Sequence, residues 1–300
     1  MSIEENSEGN VGFVSIVGRP NVGKSTFINR ALGYHLTAVS NRPNTTRKKW
    51  RGILSDDDSQ IIFVDTPGMH SSGNKMQEAM AASIASSLKD SDAVLCICDP
   101  TRPFGEEDLM MATALAACGK PVVLALNKID VATADEVEAI RSQYLEIAEK
   151  AQVGVISALE GTDVPELLTV IKGLLPKGPF LFPKDELTDV IERDIAEEVI
   201  REAANEKVYQ EIPQSILVKI DTWNETEKKV KIAATLHVET NSQKQIVVGT
   251  KGEMINSISK AAREKLMADM DKFLDVKLRV KVSADWQNKK RFLRDNGVVD

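Results

Sequence analysis

The sequence predicts a doubly wound α/β domain built around a phosphate-binding loop, followed by a smaller α+β domain. Three observations carry this expectation. Gly18-Arg19-Pro20-Asn21-Val22-Gly23-Lys24-Ser25 fits G-x-x-x-x-G-K-[ST], between an apolar strand candidate and a helix start. Residues 1–175 alternate short apolar runs with helix-length segments, the pattern of a mostly parallel sheet. A proline-rich break at 175–183 then separates this half from a C-terminal part of opposite charge.

Taken in order, the strand candidates of the first half are 11–17, 48–54, 60–65, 93–99, 121–127 and 153–157. Helices are expected over 23–32, 76–88, 106–118, 134–150 and 164–174. The acidic turn Ser55-Asp56-Asp57-Asp58-Ser59 joins two strands directly and reads as an antiparallel hairpin at the sheet edge. Three prolines and a glycine within 176–183 exclude a helix or a central strand there. The expected division is therefore a first domain at 1–175, a linker at 176–186 and a second domain at 187–300. In the second domain Ile195, Val199, Ile200 and Ala203 mark a helix over 188–208. Strands follow at 215–222 and 229–239. A long helix is expected over 253–274, with Ile255, Ile258, Ala262, Leu266, Met270 and Phe273 on one face. A last strand at 276–282 alternates Val276, Leu278, Val280 and Val282 with Lys277, Arg279 and Lys281.

Charge separates the halves. The whole chain carries −7, but residues 1–214 hold 21 Lys and Arg against 33 Asp and Glu, while residues 215–300 hold 17 against 12. A basic module on an acidic body suggests an anionic partner. No apolar run reaches bilayer-spanning length. The N-terminal residues 1–10 are too acidic and polar for a secretory signal. Cys96, Cys98 and Cys118 fit no metal spacing, and the first two sit in an apolar run as buried thiols. The expected compartment is the cytoplasm, with peripheral association at the inner face of the cell membrane as an addition.

The glycines of the loop let several backbone N–H groups converge on one anion, and the helix N-terminus adds partial positive charge. Asn21, Val22, Gly23, Lys24, Ser25 and Thr26 are the phosphate-side candidates. Lys24 can reach the terminal phosphates, and the Ser25 hydroxyl can hold Mg²⁺. Asp65-Thr66-Pro67-Gly68 ends the third strand candidate. Asp65 can hold Mg²⁺ through water, and the Gly68 N–H can approach the γ-phosphate. Asn127-Lys128-Ile129-Asp130 ends the fifth, where Asp130 can accept from guanine N1–H and N2–H₂ and the Lys128 stem can cover the base. Ser157-Ala158 ends the sixth, where the Ala158 N–H could donate to guanine O6. Thr45-Thr46-Arg47 lies in a polar loop that could close over Mg²⁺. Most of these mark strand C-termini, where open α/β sheets bind ligands. Jointly they predict GTP and GDP as ligands.

With these segments in view the chain resembles the Era family of ribosome-assembly GTPases. The phosphate loop, Thr45-Thr46-Arg47, Asp65-Thr66-Pro67-Gly68-Met69-His70 and, in the second half, Gly249-Thr250-Lys251-Gly252 carry the likeness, which spans nearly the whole chain. The resemblance implies that Thr46 contacts Mg²⁺ and that the second domain is a KH domain. It implies single-stranded RNA as partner, clamped by Gly249, Thr250, Lys251 and Gly252; the RNA would be the 3′ end of small-subunit ribosomal RNA, on the small ribosomal subunit. Ile246-Val247-Val248 reads as strand on propensity, whereas the resemblance makes it a short helix. Trp286, Lys289-Lys290-Arg291 and Leu293-Arg294 resemble the family's tail, but Asn296-Gly297-Val298 departs from its usual aromatic ending. The alternative is a second domain that binds protein or membrane. The chain is expected to be a monomer.

For hydrolysis, Lys24, Thr46 and Gly68 are the catalytic candidates. Met69 stands where signalling GTPases place a water-orienting glutamine, and Gln77 lies too far into the next helical stretch. Arg19 and Arg47 are arginine-finger candidates by proximity, and His70 could touch the water or pack the loop. Slow turnover is expected, aided by a partner or by K⁺ near Asn21, as in related GTPases with this asparagine.

Overall fold

The computed structural model describes residues 8–34, 36, 50–65, 90–189, 192–208, 216–269, 272–286 and 289. The chain divides into two compact units, one of Met1–Leu36 with Asn41–Asp189, the other of Thr37–Ser40 with Val190–Asp300.

The first unit is a mixed sheet ordered β2-β3-β1-β4-β5-β6. Its strands are β1 (Glu8–Val17), β2 (Trp50–Ser55), β3 (Ser59–Asp65), β4 (Ala93–Cys98), β5 (Val122–Leu126) and β6 (Gln152–Val155). Helices α1 (Lys24–Leu32), α2 (Glu106–Ala117), α3 (Ala134–Ile147) and α4 (Val164–Leu174) connect them. β1 runs parallel to β3 and β4, and β4, β5 and β6 continue in parallel. Every residue of β4 and of β5 is buried, so both read as unbroken apolar runs rather than alternations. β2 pairs antiparallel with β3, giving the expected edge hairpin. Because β1, β3, β5 and β6 point the same way, residues 18, 65, 127 and 157 collect at one edge of the sheet. Cys96 and Cys98 are buried with their sulfurs 3.7 Å apart. The expected helix over 76–88 lies outside the described residues.

The segment expected as linker behaves differently. β7 (Lys177–Pro179) adds to β1 in antiparallel register. Gln60, 0 % exposed, then clamps the next residues. Its Oε1 accepts from the Leu181 and Phe182 N–H groups at 2.7 and 3.0 Å, and its Nε2 donates to the Phe182 carbonyl at 2.9 Å. Backbone pairing and a buried amide thus tie 177–182 to the first unit, and the division falls at Asp189–Val190 instead. The prolines exclude a long strand but leave room for three residues of edge pairing.

The second unit has a three-stranded sheet, order β10-β9-β8, from β8 (Leu217–Glu225), β9 (Lys229–Val238) and β10 (Phe273–Val282). Its helices are α5 (Glu192–Lys207), α6 (Asn241–Val248) and α7 (Glu253–Asp269). Ile258, Ala262 and Leu266 of α7 are buried as the spacing predicts. Phe273 and Leu274, however, begin β10 rather than end the helix. Leu274 is buried opposite Val230, so it extends the strand's own alternation, while Phe273 is exposed beneath the Lys229 ammonium, 5.0 Å from the ring centre. In α5 the apolar stripe is joined by buried charge. Glu197 accepts from the Ile220 N–H at 2.9 Å, and Lys265 of α7 bridges Glu202 at 2.5 Å and Glu206 at 2.6 Å. Burial works against the Lys265 charge, but the two carboxylates prevail and hold its pKa above the ordinary value.

Residues 246–248 are helical, against their propensity. Thr240 supplies the reason. Its hydroxyl accepts from the Gln243 N–H at 3.2 Å, while Gln243 Oε1 accepts from the Thr240 N–H at 3.2 Å. This capping box, Thr-x-x-Gln, starts a helix that Val247 then anchors in the core. Among the described residues no helix is long and apolar enough to cross a membrane.

Candidate nucleotide site and RNA-facing turn

The phosphate loop follows β1 directly. Gly23 has φ +103°, and a Cβ there would lie 2.2 Å from Asn127 Nδ2, so only glycine fits. Asn21 also takes a positive φ, 65°. When backbone N–H groups turn inward to form an anion cradle, the carbonyls turn outward and need donors of their own. Each loop carbonyl from Gly18 to Pro20 has one. Lys24 Nζ donates to the Gly18 and Arg19 carbonyls, both at 2.9 Å. Arg102 Nη1 donates to the Pro20 carbonyl at 3.1 Å. Further along, Asn127 Nδ2 donates to the Val22 carbonyl at 2.8 Å. Ser25 and Thr26 lie in the first turn of α1, where a hydroxyl suits a hard cation.

Asn127 is the joint of the site. It is 2 % exposed, and its Oδ1 accepts from the Ala158 N–H at 2.8 Å. One buried amide therefore ties the phosphate loop to the base-recognition segment. The Ala158 N–H, expected at guanine O6, here donates to Asn127 Oδ1. A buried donor beside a buried acceptor is satisfied locally. Ser157 Oγ donates to Asp130 Oδ1 at 2.6 Å and accepts from the Glu160 N–H at 3.1 Å, fixing the Asp130 carboxylate. Lys128, at φ 69°, lays its stem toward β4, where Nζ meets Asp99 Oδ2 at 2.6 Å. Burial raises the Asp99 pKa, but the bonds from Lys128 and Thr101 outweigh it and hold the carboxyl below its usual range.

Arg19 is not placed as an arginine finger. Its Nε bonds Glu107 at 2.7 Å and its Nη1 bonds Asp108 at 2.6 Å, both on α2. Burial weakens the charge less than these two carboxylates strengthen it. Asp65 is the last residue of β3. Thr46, Gly68, Arg47, Met69, His70 and Gln77 lie outside the described residues. The structure thus brings together residues 18–26, 127–130 and 157–158. It adds Asp99, Arg102 and Asp108, which no motif marked. Asp99 and Arg102 follow β4 closely, and an Asp or Arg just beyond a buried parallel strand is the signal that could have singled them out, whereas Asp108 on α2 carries no such signal.

In the second unit, residues 249–252 form the turn between α6 and α7. Gly249 has φ +71°, and a Cβ would meet Met254 Cβ at 2.6 Å. Lys251 sits at φ 51°. Thr250 and Lys251 are exposed, and α7 starts immediately behind them, so its N-terminal dipole faces the same side. Of the expected basic cluster, Lys289 donates to the Ala284 carbonyl at 2.7 Å, while residues 290–294 lie outside the described residues.

Together the fold and these two sites define a phosphate-loop GTPase domain followed by a KH domain. A family model described as 50S ribosome-binding GTPase matches residues 13–128, and one described as KH domain matches residues 211–287. Era of Aquifex aeolicus bound to GDP·AlF₄⁻ is 32% identical, at TM-score 0.89 over 97% of this chain and 100% of that one. Era in complex with MgGDPNP and nucleotides 1506–1542 of 16S ribosomal RNA matches with the same identity, coverage and score. The chain belongs to the Era family of GTPases.

Proposed function

We propose that this protein is a GTP-binding and GTP-hydrolysing switch whose KH domain binds single-stranded RNA, namely small-subunit ribosomal RNA, during ribosome subunit assembly. The observation that carries the nucleotide reading is Asn127, whose single buried amide links the phosphate loop at Val22 to the base segment at Ala158. The relatives crystallised with GDP·AlF₄⁻ and with MgGDPNP and 16S ribosomal RNA support both halves.

Lys24 neutralises charge on the β- and γ-phosphates, and the loop N–H groups from Asn21 to Thr26 hold them. Asp130, oriented by Ser157, reads the guanine N1–H and N2–H₂. Lys128 covers the base plane from its anchor on Asp99. Ser25, Thr46 and Asp65 are the residues for Mg²⁺, which when bound neutralises the charge developing on the β–γ bridge. Gly68 offers its N–H to the γ-phosphate. Asn21 would hold K⁺, which when bound would supply the further positive charge that Arg19, held on α2, does not. Thr250 and Lys251 reach RNA phosphates while the flanking glycines admit the backbone. The protein works in the cytoplasm as a monomer on the small ribosomal subunit, with peripheral contact to the inner membrane face.

A map of RNA crosslinks formed in cells tests the RNA assignment. Crosslinks from residues 249–252 to the 3′ end of small-subunit ribosomal RNA are expected. Crosslinks confined to protein or lipid would favour a different partner. Turnover in K⁺ and Na⁺ at equal ionic strength tests the cation; equal rates would remove it.

A further inference from the structure

We propose that the junction between β4 and α2 acts as a brace for the phosphate loop, with Arg102 and Asp108 as positioning residues. The proposal rests on the guanine-nucleotide reading of the same site. A loop that presents N–H groups to a phosphate turns its carbonyls outward, and each outward carbonyl needs a donor to keep its peptide plane fixed. Lys24 supplies two of these donors from within the loop, but its ammonium must also face the nucleotide. Arg102 serves Pro20 from outside, across 82 residues of sequence, and has no such second duty.

Asp108 acts one residue earlier. It is 7 % exposed and gathers three donors. Arg19 Nη1 reaches Oδ2 at 2.6 Å, the Gly105 N–H reaches Oδ2 at 3.0 Å, and Tyr144 OH reaches Oδ1 at 2.9 Å. Tyr144, 2 % exposed on α3, is held protonated by its burial and so remains a donor. Arg19 therefore links two structures. Its guanidinium is fixed to α2, and its own carbonyl accepts from Lys24. A shift of α2 moves the Arg19 peptide and with it the resting place of the Lys24 ammonium. Both act through the loop, Arg102 at the Pro20 carbonyl and Asp108 at the Arg19 guanidinium. A misplacement of about 1 Å at such a remove is enough to change turnover by about 100-fold.

The test uses the full chain with Arg102→Met, Asp108→Asn and Tyr144→Phe. Three quantities are measured on each: GDP affinity by calorimetry, single-turnover hydrolysis at saturating GTP, and the melting temperature without nucleotide. Arg102→Met and Asp108→Asn should each slow hydrolysis at saturation about tenfold or more, with Tyr144→Phe losing less. Arg102→Lys should recover much of the rate. The preference for GTP over ITP, set at Asp130, should not move. Wild-type hydrolysis in the folded Arg102→Met and Asp108→Asn proteins overturns the brace, as does a lowered melting temperature with unchanged single-turnover rate. If Asp108→Asn does not fold, Arg102→Met and Tyr144→Phe decide alone by the same criteria. Wild-type protein that fails to bind GDP would overturn the nucleotide reading itself, whereas wild-type protein that binds while both variants match it overturns the brace only.

Discussion

The base-recognition corner of the first domain and the Gly-x-x-Gly turn of the second are both four-residue polar motifs, built in opposite ways. Asn127, Ser157 and Ala158 are buried, each has a fixed partner, and Ser157 in turn holds the exposed Asp130 carboxylate. At residues 249–252 no residue of the turn is buried, and Thr250 and Lys251 face solvent. The difference fits the recognition proposed for each. Choosing guanine over adenine requires acceptors that cannot rotate toward the wrong edge. Clamping a sugar–phosphate chain requires open backbone and positive charge, and tolerates any base.

The largest effect is expected where that fixity is broken chemically. Asp130→Asn puts a donor against the guanine N–H groups, and GTP affinity should fall by about 100-fold or more. XTP should gain, because its C2 oxygen accepts from the new amide. Calorimetry with GTP, XTP and ATP measures both; an unchanged GTP affinity would remove Asp130 from base choice.

A smaller loss is expected where the corner is broken sterically. Gly23→Ala would set a methyl 2.2 Å from Asn127 Nδ2 at φ +103°. Displacing that amide costs about 1–3 kcal/mol of stability in strain alone. It should also weaken nucleotide binding, while RNA binding by the other domain stays unchanged. A thermal melt with and without GDP reads the first two, and a variant that melts like wild type would contradict the interlock.

The smallest effect concerns acidity in the second domain. His237 accepts or donates at Ser283 Oγ, 2.8 Å away, and faces Lys281, Arg279 and Asp221. Burial foremost, then Lys281, pushes its pKa below the ordinary value, against the pull of Asp221. The unfolded state therefore binds the proton first. This contribution to stability is whole above about pH 6.5 and is lost as pH falls through the lowered folded value. His237→Gln should flatten that part of a stability–pH curve; an identical curve would show that the imidazole does not titrate there.

Much of this contrast is legible in the sequence, for different reasons in the two domains. β4 and β5 are buried on both faces, so Val94 to Cys98 and Val122 to Leu126 announce themselves as apolar runs. The phosphate loop and Asn127 to Asp130 are marked by residue types that few other jobs require. In the second domain Gly-x-x-Gly says little without its flanks. There propensity pointed Ile246 to Val248 toward a strand, and the Thr240–Gln243 capping box, two residues of local chemistry, decided for helix. What stayed hidden depends on distance. Asp108 meets Arg19 from 89 positions away and Gln60 holds Phe182 from 122 positions away, pairings that no local pattern encodes. The bond from the Ala158 N–H to Asn127 Oδ1, between two different strand ends, is hidden for the same reason.

An exposed, charged turn in one domain is proposed to bind RNA independently of a locked nucleotide corner in the other. The direct measurement is fluorescence anisotropy of a short single-stranded RNA with the full chain at two salt concentrations. It compares wild type with the double variant Thr250→Asp and Lys251→Asp, with GDP affinity measured on the same samples. Wild-type affinity should fall as salt rises, because phosphate contacts release counterions. The double variant should lose RNA binding at both concentrations and keep wild-type GDP affinity. A double variant that binds RNA as tightly as wild type would contradict the account and move the second domain's partner to protein or membrane.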